Sequence, residues 1–154
     1  MNEPAEPHDD FVVAFESAFA RLQVRVEEAC ATAEDWPGAV AAGIRATFEF
    51  AADAPGDAQA LTRDALAQGT GGLARHRRLV AYAAGLLEPG REEAAGSAPP
   101  AVLEHALAGG IAFLVAHRLA LGEEGELPAL AGEAIEFVLT PYVGPEEARR
   151  VARA

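Results

Sequence analysis

The apolar positions of this chain recur at helical spacing along most of its length. Phe11, Phe15, Ala18, Leu22, Val26, Ala29 and Ala33 stand four and three residues apart, the stripe of an amphipathic helix. Val12, Phe19 and Cys30 widen its apolar face. Glu34-Asp35-Trp36-Pro37 stops that helix and starts the next, with Asp35 the expected N-cap and Pro37 tolerated in the first turn. Val40, Ile44, Phe48 and Ala51 share a face of the second helix. Ala54-Pro55-Gly56-Asp57 caps a short third one through Leu61, Ala65 and Leu66, and Gly69-Thr70-Gly71-Gly72 breaks the chain again.

A fourth helix carries Leu73, Leu79, Val80, Tyr82, Ala83, Leu86 and Leu87 and stops at Pro89-Gly90. After a polar stretch from Arg91 to Ser97, Pro99-Pro100 opens a long fifth helix with two apolar faces. Leu103, Leu107, Gly110, Leu114 and Leu121 mark one; Val102, Ala106, Gly109, Phe113 and Ala120 mark the other. Such a pattern calls for burial on two sides, by the core and by a partner. Gly109-Gly110 inside this helix costs about 1 kcal/mol per glycine relative to alanine, which points to close approach of another helix, within the chain or across a dimer. Past Gly122-Glu123-Glu124-Gly125, a sixth helix holds Leu127, Leu130, Ala131, Ala134, Ile135, Val138 and Leu139 and ends at Pro141. Neither strand alternation nor an internal repeat competes. The pattern predicts an all-α bundle of about six helices. Residues 1–10 form a flexible acidic lead-in, 11–145 the domain, and 146–154 a tail with a last helical turn or two.

Composition narrows the chemistry. With 154 residues, 51% of them hydrophobic, the chain suits one domain with a real core. The 12 basic residues are all arginine, against 24 acidic ones, for a net charge of -12. Without lysine there is no phosphate-loop lysine, Schiff base or lysine general base. The acidic balance argues against nucleic-acid binding by this chain alone. A single cysteine excludes an intrachain disulfide and suits a reducing compartment. Met1 to Asp10 lacks the basic and apolar parts of a secretion signal, and no apolar run reaches membrane-span length. A cytoplasmic protein without a membrane partner is expected.

The usual catalytic constellations are missing. His8, His76, His105 and His117 lack metal-ligand spacing, so neither a metal nor a cofactor is expected. Ser17 and Ser97 lie outside any nucleophile elbow, and Cys30 reads as a small core residue. The expected function is therefore not enzymatic. Arg75-His76-Arg77-Arg78 reads as a solvated segment pairing with acids, the other reading being an anion site or partner contact. Large side chains opposite alanine and glycine can leave an apolar cavity between helices. Phe15, Phe19, Phe48, Leu86 and Phe113 are its candidate walls, with Tyr82 and His105 as the polar contacts. The other reading of the same residues is a filled core.

Several weak signals occur in one order. Trp36 precedes the second helix and Ala54-Pro55 follows it. Pro99-Pro100 comes next, then Leu107-Ala108-Gly109-Gly110-Ile111-Ala112-Phe113-Leu114, His117-Arg118 and Gly122-Glu123. Leu127-Pro128-Ala129-Leu130 and Phe137-Val138-Leu139-Thr140-Pro141-Tyr142-Val143-Gly144 complete the series. Over roughly residues 9 to 150 this resembles the C-terminal regulatory region of TetR-type transcriptional repressors. The resemblance implies an effector-binding and dimerisation domain in which the last two long helices of each subunit form a four-helix interface. Leu107, Gly110, Ile111, Leu114, Arg118, Leu127, Ile135 and Val138 would then lie in a homodimer interface, and the earlier helices would surround a small, mostly apolar effector. The family's helix-turn-helix head would precede Phe11, and Met1 to Asp10 is too short and acidic to replace it. A domain without its own DNA-binding head is expected, reaching DNA only through an upstream head or a complete partner. A headless dimerisation partner and a stand-alone small-molecule carrier are the alternatives.

Overall fold

Apolar stripes punctuated by proline and glycine give helices throughout. The computed structural model describes residues 7–94, 96–97 and 99–154, with side chains from residue 9 onward. Helix α1 spans Pro7–Cys30, so residues 7–10 of the expected lead-in are already helical, while residues 1–6 of it lie outside the described residues. Helix α2 spans Trp36–Asp53, capped by Asp35, whose carboxylate accepts the Gly38 N–H at 2.8 Å. Helix α3 (Pro55–Gln59) leads through a π-helical turn (Ala60–Asp64) into the short α4 (Ala65–Ala67). Then come α5 (Gly69–Leu87), α6 (Gly90–Glu93), α7 (Leu103–Leu121), a 3-10 turn (Glu124–Glu126), α8 (Leu127–Val143) and α9 (Pro145–Arg153). There is no strand among the described residues, and the protein is all-α.

Two packed clusters hold the bundle. In one, Phe11, Phe15 and Phe19 step along α1 with ring centroids 6.1 and 6.0 Å apart, against Phe50, Leu61 and Leu79. In the other, the inner face of α8 buries Leu127, Ile135, Val138 and Leu139 against Phe48 and Ile44 of α2. The expected tail is the helix α9, which packs on α8 and α2 and buries Ala148 and Val151. Arg45 Nη2 donates to the Ala152 carbonyl at 3.2 Å and ties α9 to α2.

The helices depart from the sequence expectation at three places. The break expected at 69–72 shrinks to Gln68 and the left-handed Gly69, and the rest of the run forms the first turn of α5. Gly69 takes a φ of 65°, and a Cβ on Gly72 would lie 2.0 Å from the Ala65 carbonyl oxygen, so α4 and α5 can meet this closely only there. Pro141 does not end α8, which runs on to Val143. Proline there removes one hydrogen bond from the final turn only, and Gly144 N–H closes the helix on the Thr140 carbonyl at 3.0 Å. The third departure is rotational. Helix α7 buries Glu104, Leu107, Ala108, Val115 and Leu119, a face that shares Leu107 with the first expected stripe and turns well away from the second. Being apolar around most of its girth, α7 offered no polar stripe to fix its rotation.

Candidate functional site

Between α1, α2, α5 and α7 the side chains fail to meet, and a cavity of ≈ 370 Å³ remains. Its cause is visible in α2. Ala39, Gly43 and Thr47 recur every fourth residue and line the space with short side chains. Ala83 of α5, together with Ala108 and Ala112 of α7, does the same from the facing walls. Gly43 also lets α1 come close, since a Cβ there would sit 3.2 Å from Cys30 Sγ. The π-helical turn supplies Leu61 and Thr62, and α8 contributes Val138. Gly85, Leu86 and Pro89 are lining residues exposed to solvent at the end of α5.

The lining is nearly without free polar groups. Thr47 Oγ1 donates to the Gly43 carbonyl at 2.8 Å and Thr62 Oγ1 to the Ala58 carbonyl at 2.7 Å. Trp36 Nε1 donates to the Leu86 carbonyl at 3.1 Å, and Cys30 Sγ to the Ala39 carbonyl at 3.4 Å. The Tyr82 hydroxyl is shut away from solvent with no hydrogen-bond partner among the described residues. Burial first, then the nearby Glu27 carboxylate, pushes it up to about 12. The same two causes raise the Cys30 thiol. Both are therefore uncharged at neutral pH, and the lining contains no Asp, Glu, Arg or His.

Of the residues expected to wall a cavity, Tyr82 and Leu86 line it. Phe15, Phe19 and Phe48 do not; all three are packed in the core. The rotation of α7 turns His105 and Phe113 outward, and Phe113 is 71% exposed, its ring stacked on His117 with centroids 5.9 Å apart. Trp36 and the strip Ala39-Gly43-Thr47 went unassigned, although the every-fourth-residue run of small side chains was a usable signal.

The candidate interface residues also divide. Leu107 of α7 and Leu127, Ile135 and Val138 of α8 are buried in the core of the chain, the last three because α8 turns its branched residues toward α2, so they are not on its surface. Gly110, Ile111, Leu114 and Arg118 line an outer groove of ≈ 290 Å³ with Leu130, Glu133, Ala134 and Phe137 of α8. In that groove Arg118 Nη1 is held by Glu123 Oε2 at 2.7 Å. Phe137 in the groove is 56% exposed, and Phe113 and Val102 (68%) are exposed as well, leaving apolar surface of this region uncovered. A Cβ on Gly109 would meet nothing within 4 Å, whereas one on Gly110 would meet the Phe137 ring of α8 at 3.6 Å, so of the two glycines only Gly110 faces another helix of this chain.

A second buried cluster lies beside the cavity. Glu104 is only 3% exposed and receives Arg91 Nη2 at 2.7 Å. Arg91 also donates to the Pro99 and Pro100 carbonyls, at 3.0 and 3.1 Å. Burial alone would raise the Glu104 carboxyl, but the hydrogen bond and charge of Arg91 outweigh it and hold the group below the usual carboxylate range. Tyr142 is pushed up to about 12 by burial and by the Glu104 charge. Its ring meets Trp36 edge-on at 5.1 Å. Trp36 thus forms the wall between cavity and ion pair.

Two of the three arginines of the basic run on α5, Arg75 and Arg78, pair with Glu16 of α1, while Arg77 is exposed. Arg78 Nη2 bonds Glu16 Oε2 at 2.6 Å and its guanidinium lies 5.0 Å from the Phe19 ring centre. Among the described residues no group of three or more His, Cys, Asp or Glu could hold a metal ion. No helix among them is long and apolar enough to cross a membrane. Comparison of the chain with protein-family models, with curated proteins and with solved structures finds no match.

Proposed function

We propose that this chain is a TetR-like regulatory domain that binds a small apolar effector and pairs with a second copy through the outer faces of α7 and α8. One observation carries the reading. Helix α7 presents Ile111, Ala112 and Val115 to the cavity and, on its other side, Phe113 to solvent, with Val102 exposed just before its first turn. A helix between a cavity and an uncovered apolar face can transmit a shift from one to the other. Large exposed apolar patches mark interaction sites. The reading includes no catalysis, and the charge of -12 speaks against operator contact by these residues alone.

The test is the mass in solution. At micromolar concentration the chain should sediment as a dimer, and Phe113→Asp should return it to monomer with its helical content unchanged. A monomeric native protein ends the dimer half of the proposal. In that case the cavity alone favours a small-molecule carrier. Retarded migration of a DNA duplex at physiological salt would contradict the claim about nucleic acid.

A further inference from the structure

The cavity's chemistry goes further than its size. We infer that its ligand is an uncharged, hydrogen-bond-poor molecule of hydrocarbon character, and that the site discriminates against acids and alcohols of equal size. This deepens the effector half of the proposed function and rests on it.

Four polar side chains of the lining already bond backbone carbonyls: Trp36, Cys30, Thr47 and Thr62. To donate to a ligand, each would first have to break a bond made at home, and only the two threonine oxygens keep lone pairs that could accept one. The fifth, Tyr82, has its hydroxyl sealed from accessible space. No lining residue is charged at neutral pH. Away from the mouth at Gly85, Leu86 and Pro89, an anion would lose its hydration with no free donor to replace it, and a hydroxyl could at best donate to a threonine while its own oxygen stays unpaired. At interior packing density the space holds about 15 non-hydrogen atoms. An apolar cavity with such walls stays dry and takes hydrocarbons.

The chain's only tryptophan, Trp36, lines the cavity, so its emission reports occupancy. Three probes of equal atom count separate the possibilities: hexylbenzene, 5-phenylpentan-1-ol and 4-phenylbutanoate. Titration of the full chain, excited at the red edge of the indole band, should show hexylbenzene binding most tightly. The alcohol should bind roughly tenfold or more weaker, since burying an unpaired hydroxyl costs about 1–3 kcal/mol. The acid should leave the emission unchanged up to millimolar concentration. Equal affinity for alcohol or acid overturns the inference, and so does failure of all three to bind. Ala83→Phe and Ala112→Phe, each filling the space from a partly exposed position, should abolish the hydrocarbon signal while the helical circular dichroism persists. Persistence of that signal in both variants puts the ligand elsewhere and also overturns the inference. The sensing role fails separately: hexylbenzene that binds as expected but leaves the dimer mass and dissociation constant unchanged removes the effector role and keeps the ligand assignment. Conversely, an acid that binds and shifts the dimer removes the ligand assignment and keeps the sensing.

Discussion

Trp36 has two unlike interiors on its two sides. On one lies the cavity, with walls of Val, Leu, Ala and Gly and its polar groups satisfied at home. On the other, Glu104, Arg91 and Tyr142 form a charged cluster in which the carboxylate is almost wholly buried. Hydrocarbon walls resist only by shape and let neighbours shift. A carboxylate buried against an arginine that is still partly in solvent holds its hydrogen-bond geometry more tightly than such walls do. The difference teaches where this fold is adaptable and where it is fixed. Arg91 clamps Pro99 and Pro100 through their carbonyls and the first turn of α7 through the Glu104 carboxylate, while the helices around the cavity leave space between them.

The largest expected effect is at the fixed side. Glu104→Ala leaves Arg91 without its partner and opens space beside Tyr142. It should lower Tm by about 3–8 °C, judged from the loss of a charge-assisted hydrogen bond whose arginine end is partly solvated and the scaling for a chain of this length. A calorimetric Tm within a degree of native would mean the cluster fixes nothing. Next comes Gly90→Ala. Its Cβ would sit 2.3 Å from the Trp36 ring and 2.8 Å from Tyr142, so both aromatics must move. Overpacking of that kind costs roughly 1–3 kcal/mol, and the Trp36 emission should shift with it.

Acid should act on the same side. The folded Glu104 carboxyl lies below its ordinary value. Its contribution is therefore complete above the unfolded pKa of about 4.3 and is lost as pH falls through the folded value. Urea midpoints measured from neutral pH downward should decline over that window, and Glu104→Gln should flatten part of the decline. An identical acid limb in the variant would assign the loss to other carboxylates. The smallest effect is predicted on the adaptable side. Ala83→Leu fills empty space at a partly exposed position and should change stability by between zero and a gain of about 1 kcal/mol. A loss of several kcal/mol would show that the cavity wall is as rigid as the ion pair.

How much of this could be read from residues alone follows the same division. The stripes of α1, α2 and α8 were legible because each has a polar side that fixes its rotation: Phe15, Phe48 and Ile135 are buried as spacing requires. The Asp35 cap was legible because its geometry is local. Helix α7 was not, since Val102, Phe113, Val115 and Leu119 offer apolar surface all round and only tertiary packing selects among them. That rotation carried His105 and Phe113 away from the cavity and Ala108 and Ala112 into it. The cavity itself depends on what small residues from separate helices leave unfilled, which no single helix discloses. The Arg91–Glu104 pair was equally hidden, because thirteen residues and a helix boundary separate its members.

The placement of α8 and α9 has a consequence for biosynthesis. The face of α2 that carries Ile44 and Phe48 finds its partners on α8, and Arg45 finds its acceptor on α9, 107 residues further along the chain. On a ribosome working from the amino end, α1 and α2 emerge early and their second apolar face stays bare until nearly all of these helices have been made. At about 5–20 residues per second that interval lasts several seconds or more, long enough for a holding chaperone to find the segment from Val40 to Ala51. Late mutations in α8 should therefore show first as poor yield of soluble protein, before any change in what the folded molecule binds.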